Sequence, residues 1–207
     1  MLSKSELAGL QQSLTDYDKT REKLLELTRK TTRQAGWAII QIHRQQIPKA
    51  NAILKEAEES IAQIRDLLDE CSEFKQAGYV VVALQEYSEA KVLLGYATRK
   101  KLLSQREVGV GWMPYALGLL DFVGELRRRT MDQLKVGKLK EAHETFDAME
   151  ALFEDLVSLD RTSIVPTFRR KLDVAKKLVE ATRADVIADI RRSSLEKTMK
   201  NLEKHMR

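Results

Sequence analysis

Proline occurs at only three places in this chain, Pro48, Pro114 and Pro166. Between them, apolar or small residues recur every three or four positions over long stretches. Proline breaks a helix interior but suits its first turn, so this spacing leaves blocks of chain free to be helical. The first block carries Leu7, Leu10, Leu14, Tyr17, Leu24, Thr28, Thr31, Ala35, Ala38 and Ile42 in one rhythm. It predicts one helix from about Ser5 to Gln46, roughly 60 Å long at the α-helical rise. A helix of that length outruns a single small core. It must pack over several partners or reach a neighbouring subunit.

The remaining blocks repeat the pattern. Pro48 opens a second helix to Glu70 with Ile53, Ala57, Ile61, Ile64 and Leu68 in register. A third runs from Ser72 or Gly78 to about Leu103 and ends in Arg99-Lys100-Lys101, where cations suit the negative end of the helix dipole. Residues 104–111 read as a loop. Its Gly109-Val110-Gly111 lacks the strand, the further glycines and the lysine of a phosphate-binding turn. Pro114 starts a fourth helix to about Val136, and Gly137 stops it. A fifth carries Leu139, Ala142, Phe146, Met149, Phe153 and Leu156. A sixth from Pro166 carries Phe168, Leu172, Ala175, Val179, Thr182 and Val186. Ser193 reads as the cap of a short seventh with Leu195, Met199, Leu202 and Met206.

No strand pattern, repeat or low-complexity linker interrupts this series. The expectation is an all-α fold, one domain over residues 1–207 with about seven helices and a very long N-terminal one. A hydrophobic content of 43% against 32% charged residues suits a soluble, well-cored helical protein. The net charge of +5 permits a polyanionic partner without demanding one. The single cysteine, Cys71, excludes an internal disulfide and points to a reducing compartment. With no signal-peptide core and no apolar run of membrane-spanning length, the expected location is the cytoplasm, without membrane association.

Two acidic pairs stand out because their surroundings are apolar. Glu86 and Glu89 lie three apart, on a face that continues as Leu93 and Ala97. Asp121 and Glu125 lie four apart in a strongly apolar run, and Gly118 on the same face leaves room beside them. Carboxylates crowded in a partly buried site repel one another and resist leaving water. Protonation, an Arg or Lys partner, or a hard divalent cation relieves this, and Mg²⁺ takes oxygen ligands. That cation is the centre of metal-assisted phosphodiester cleavage. Solvent-facing helix acids are the plainer alternative. Arg29 and Arg33, near Gly36-Trp37, form a basic surface with one aromatic, suited to phosphates and a stacked base or simply to solvent. Arg127, Arg128 and Arg129, just beyond Glu125, can neutralise the acids, hold a phosphate or face water. His43 reads as a hydrogen-bonded interface histidine.

These residues also resemble a known family. Leu84-Gln85-Glu86-Tyr87-Ser88-Glu89-Ala90 is similar to the Leu-Gln-Glu-Tyr-Val-Glu-Ala stretch of translin-associated factor X. Tyr115, Leu117, Gly118, Asp121, Gly124, Glu125 and Leu126 match the Tyr-Leu-Leu-Gly-x-x-Asp-Leu-x-Gly-Glu-Leu segment of the translin family. Thr28–Arg44 and Arg170–Asp185 resemble two further family segments. The resemblance is to the factor X branch, in which carboxylates stand at all four positions, and to a minimal prokaryotic or archaeal form of it. It lacks that branch's long insertion before Pro114 and its basic N-terminal tail.

The resemblance implies a translin-like helical bundle assembled into a closed homo-oligomeric shell, roughly an octamer, with a translin-type subunit as a candidate partner. It implies an endoribonuclease that cleaves single-stranded RNA with Mg²⁺, for which Mn²⁺ substitutes. Glu86, Glu89 and Asp121 would be the catalytic metal ligands and Glu125 a fourth. Phosphate contacts would fall to Arg29, Arg33 or the Arg127–Arg129 cluster. The main alternative is a non-catalytic translin-like binder of single-stranded RNA or DNA. A structural coiled-coil scaffold is a further one. A di-iron bundle is disfavoured because no Glu stands three residues before His43, His143 or His205.

Overall fold

In a computed structural model, which describes residues 2–160 and 165–205, the long first block forms helix α1, Lys4–His43. Ser3 and Glu6 close a capping box at its start, each side chain satisfying the other's backbone N–H. Its end comes a few residues before the predicted Gln46, because Gln45 turns into the left-handed region at φ 59°. Helices α2 (Ile47–Glu70), α3 (Gly78–Arg99), α4 (Gln105–Val108), α5 (Trp112–Lys135), α6 (Leu139–Ser158) and α7 (Pro166–His205) follow, with one 3₁₀ turn at Ser72–Gln76. The described residues thus hold seven α-helices and no strand.

Seven is the expected number, but the seventh helix is not the expected one. Ser193 caps nothing. It lies inside α7, which runs unbroken through Leu195, Met199 and Leu202, because no proline or glycine interrupts that stretch. Met206 lies outside the described residues. The predicted loop at 104–111 contains a short helix instead. Ser104 and Glu107 form a second capping box there, and Lys101 and Ser104 hold the Glu107 carboxyl down to about 2. The Ser-x-x-Glu signature was present in the sequence. Gly109, at φ 77°, ends α4, and its carbonyl accepts from Arg65 at 2.9 Å, so this turn is structural. Helix α3 stops at Arg99 rather than Leu103 because Lys100 adopts a left-handed cap, with its ammonium over the Tyr96 ring.

The chain divides into two compact units, residues 1–118 and 119–207, with the division inside α5. In the first, α1, α2 and α3 pack on one another. The core takes Leu24, Ala35, Ala38 and Ile42 from α1, Leu54, Ala57, Ile61 and Ile64 from α2, and Val80, Tyr87 and Leu93 from α3. The predicted stripes supply most of these, except that Leu54 and not Ile53 fills the α2 position. In the second, α6 packs on α7 through Ala142, Phe146, Met149 and Leu156 against the predicted set Phe168, Leu172, Ala175, Val179 and Val186.

Two apolar stripes have no such cover. Leu7, Leu10 and Leu14 are exposed, cover begins with the Tyr17 ring against Phe74 at 4.6 Å, and the first buried residue of α1 is Leu24. Leu195, Met199 and Leu202 are likewise exposed on the last turns of α7. The rhythm marked both stretches as helical, but a periodic stripe does not say whether its partner lies in the same chain. No helix among the described residues is long and apolar enough to cross a membrane.

Candidate functional site

Helix α3 places its acids in a packed turn. Gln85, Tyr87, Ser88, Glu89 and Ala90 are all buried, with Glu89 only 8% exposed, while Glu86 is half-buried. Ser88 donates its hydroxyl to the Leu84 carbonyl at 2.6 Å and so turns inward along the helix rather than outward.

Helix α5 comes onto this turn at Gly118. A Cβ at that position would lie 2.8 Å from the Gln85 carbonyl oxygen, 2.8 Å from the Ser88 Cβ and 3.1 Å from the Glu89 nitrogen. Glycine is therefore required for a close approach of backbone to backbone, not for its dihedral freedom. Asp121 follows three residues along the same helix, one turn beyond the contact. One carboxylate oxygen from each of Glu86, Glu89 and Asp121 then lies within 4.8 Å of the others. The expected fourth acid is not in this set: Glu125 lies one further turn along α5, partly buried.

The donor set is all oxygen and carries three formal negative charges, which suits a hard divalent cation rather than a thiophilic one. The protein supplies a positive charge of its own. Lys171 of α7 donates to Asp121 Oδ1 at 2.5 Å, and both side chains are largely covered. Sequence reasoning missed Lys171, although a signal existed. It stands three residues after buried Phe168 and four before buried Ala175, on the apolar face where a lysine is out of place.

The translin family model matches residues 19–182. The chain belongs to the translin family. An uncharacterized protein of Methanocaldococcus jannaschii is 31% identical over 205 residues, covering 98% of this chain and 91% of that protein. Among solved structures, apo-NeC3PO shares the fold with a TM-score of 0.82 at 22% identity, over 91% of this chain and 98% of that one. AfC3PO in complex with duplex RNA gives 0.79 at 26%, over 90% and 97%. A further AfC3PO crystal structure gives 0.74 at 27%, over 89% and 96%.

The basic residues of this translin-family chain divide into distinct environments. Arg29, Arg33 and Trp37 are exposed and spaced four apart, so they form one solvent-facing stripe on α1. The Arg127–Arg129 cluster does not act as a unit. Arg127 donates to Thr182 Oγ1 at 2.6 Å and pairs with Asp185 at 3.2 Å, tying α5 to α7. Arg128 is exposed, and Arg129 is partly buried with its Nε unpartnered. His43 is partly buried in the last turn of α1, where a cation suits the helix end.

Proposed function

We propose that this protein is a divalent-cation-dependent endoribonuclease of the factor X type, cleaving single-stranded RNA as a homo-oligomer, roughly an octamer, in the cytoplasm. The observation that carries this reading is the convergence of Glu86, Glu89 and Asp121 from two helices, none of the three left fully exposed. Three carboxylates held this close repel one another, and a divalent cation relieves that repulsion. Glu86, Glu89 and Asp121 would hold Mg²⁺ or Mn²⁺, and Glu125, one turn further along α5, would be a fourth acid of the site. When bound, the cation supplies Lewis-acid polarisation of a phosphoryl oxygen and an acidified water.

The chain's own residues do the rest. Glu89, the most buried of the three, is fixed by its packed turn. Glu86, half-buried and nearer solvent, is the carboxylate placed to take a proton from the attacking water. Arg29, Arg33 and Trp37 offer phosphate contacts and a stacking face along α1, and Arg128 a further cation. RNA as the class of partner is supported by the structure of AfC3PO with duplex RNA. Single-stranded and duplex substrates compared side by side decide the strandedness. The test of metal dependence is direct. With labelled RNA, cleavage is expected to vanish in EDTA and return with Mg²⁺ or Mn²⁺, while a shift assay still shows the RNA bound. Undiminished cutting in EDTA overturns the metal reading. Binding without cutting under every metal condition leaves the non-catalytic binder.

Oligomerisation is supported by the uncovered stripe of α1. Leu7, Leu10 and Leu14 are each about half exposed or more, on a helix with no buried residue before Leu24. An exposed apolar stripe of this kind marks an interface. Replacing Leu10 and Leu14 together by Lys is expected to lower the assembly mass in analytical ultracentrifugation. The subunit's own melt should change little, since both side chains are already exposed within the subunit. An unchanged mass excludes this stripe as a contact between copies.

A further inference from the structure

Helix α7 opens with several basic residues, and they are not treated alike. Arg169 pairs with Asp160 and Asp173 near the surface, and Arg170 is exposed. Lys176 keeps 64% of its side chain in solvent, whereas Lys171 keeps 27%. A lysine gives up hydration to this extent only where a partner compensates it. Lys171 has one in Asp121 Oδ1, the carboxylate that belongs to the three-acid set.

We propose that Lys171 is a built-in counter-ion of this site. It neutralises Asp121 in the metal-free protein, competes with a divalent cation for that carboxylate, and so sets how tightly the site takes metal. The inference rests on the metal reading above and goes beyond it by assigning the affinity of the site to a residue outside the acidic segments. The competition has two physical parts. The ammonium occupies a lone pair of the carboxylate the cation would use. Its charge also repels the cation from a few ångströms away, whether or not it keeps its hydrogen bond. A hydrogen-bonded lysine that merely orients a ligand carboxylate has the opposite effect: it strengthens metal binding, and its loss weakens it. The two roles therefore predict opposite signs.

The experiment uses the full chain in its assembled form and Mn²⁺ alone as the probe, with free Mn²⁺ followed by electron paramagnetic resonance. Lys171→Met keeps the length and apolar stem of the side chain and removes the charge. It is expected to bind Mn²⁺ roughly tenfold more tightly than the wild type, the scale on which one nearby unit charge acts on a divalent ion in well-solvated surroundings. Lys171→Arg keeps the charge and is expected to stay near the wild-type affinity. Melting gives a second readout. Mn²⁺ should raise the Tm of Lys171→Met by more than it raises that of the wild type, because the metal then supplies the neutralisation the lysine gave. Wild-type binding with unchanged or weaker binding by Lys171→Met overturns the counter-ion role and leaves the metal site standing. Absence of Mn²⁺ binding by both proteins overturns the metal reading and this inference together.

Discussion

Glu86→Gln and Asp121→Asn are each expected to lower RNA cleavage by roughly 10³-fold at saturating Mg²⁺, while RNA binding is kept. Each change replaces a carboxylate of the three-acid set by a neutral group of the same shape. A divalent cation contributes several kcal/mol to a phosphoryl-transfer transition state, and each 1.36 kcal/mol is a factor of ten in rate, so about three decades is the expected scale. Binding should survive for an electrostatic reason. Removing a negative charge from the path of a polyanion does not weaken its attraction to the protein. Single-turnover cleavage and a filter-binding titration on the same preparations check the two halves. Full cleavage by both variants removes these acids from the chemistry. Lost binding with a lowered melt shows that they are structural.

Gly118→Ala carries the second large effect, and its signature separates geometry from stability. A helix gains about 1 kcal/mol when glycine becomes alanine in its interior. At this position the added carbon would meet the Gln85 carbonyl oxygen at 2.8 Å, and backbone cannot swing aside as a side-chain end can. Overpacking of this kind costs about 1–3 kcal/mol, so the net loss in stability is small. The relief must come from α5 moving off α3, which carries Asp121 away from Glu86 and Glu89. A displacement near 1 Å at a reacting centre costs about 10²-fold in rate. The expected result is a melt within a few degrees of wild type with cleavage down about a hundredfold. Gly9→Ala, on an open stretch of α1 with nothing near its Cβ, is the control and should be neutral or slightly stabilising. Wild-type activity in Gly118→Ala would show that the approach of the two helices does not set the site.

Much of this was legible in the linear chain because helices announce themselves locally. The interval between Pro48, Pro114 and Pro166, and the three-four rhythm between them, determined an all-helical fold, the long first helix and most of the core. The acids at 86, 89 and 121 were legible for the same reason. A carboxylate on an otherwise apolar helical face is anomalous whatever the tertiary arrangement. Gly118 reads in the sequence as room beside the acids, but the structure fills that room with the backbone of α3 at Gln85 and Glu89.

What the sequence left open concerns relations between segments distant in the chain. Local pattern does not distinguish a stripe that packs against its own chain, such as Phe168 to Val186, from one that stays bare, such as Leu7 to Leu14. Nor does it rank cations. Arg127, beside the acids in sequence, is held by Thr182 and Asp185, while Lys171, fifty positions from Asp121, donates to it. Periodicity fixes which way a side chain leaves its own helix. Only the packing of one helix on another fixes what it meets there, and that packing separated Glu125 from the set of three and brought Lys171 to it.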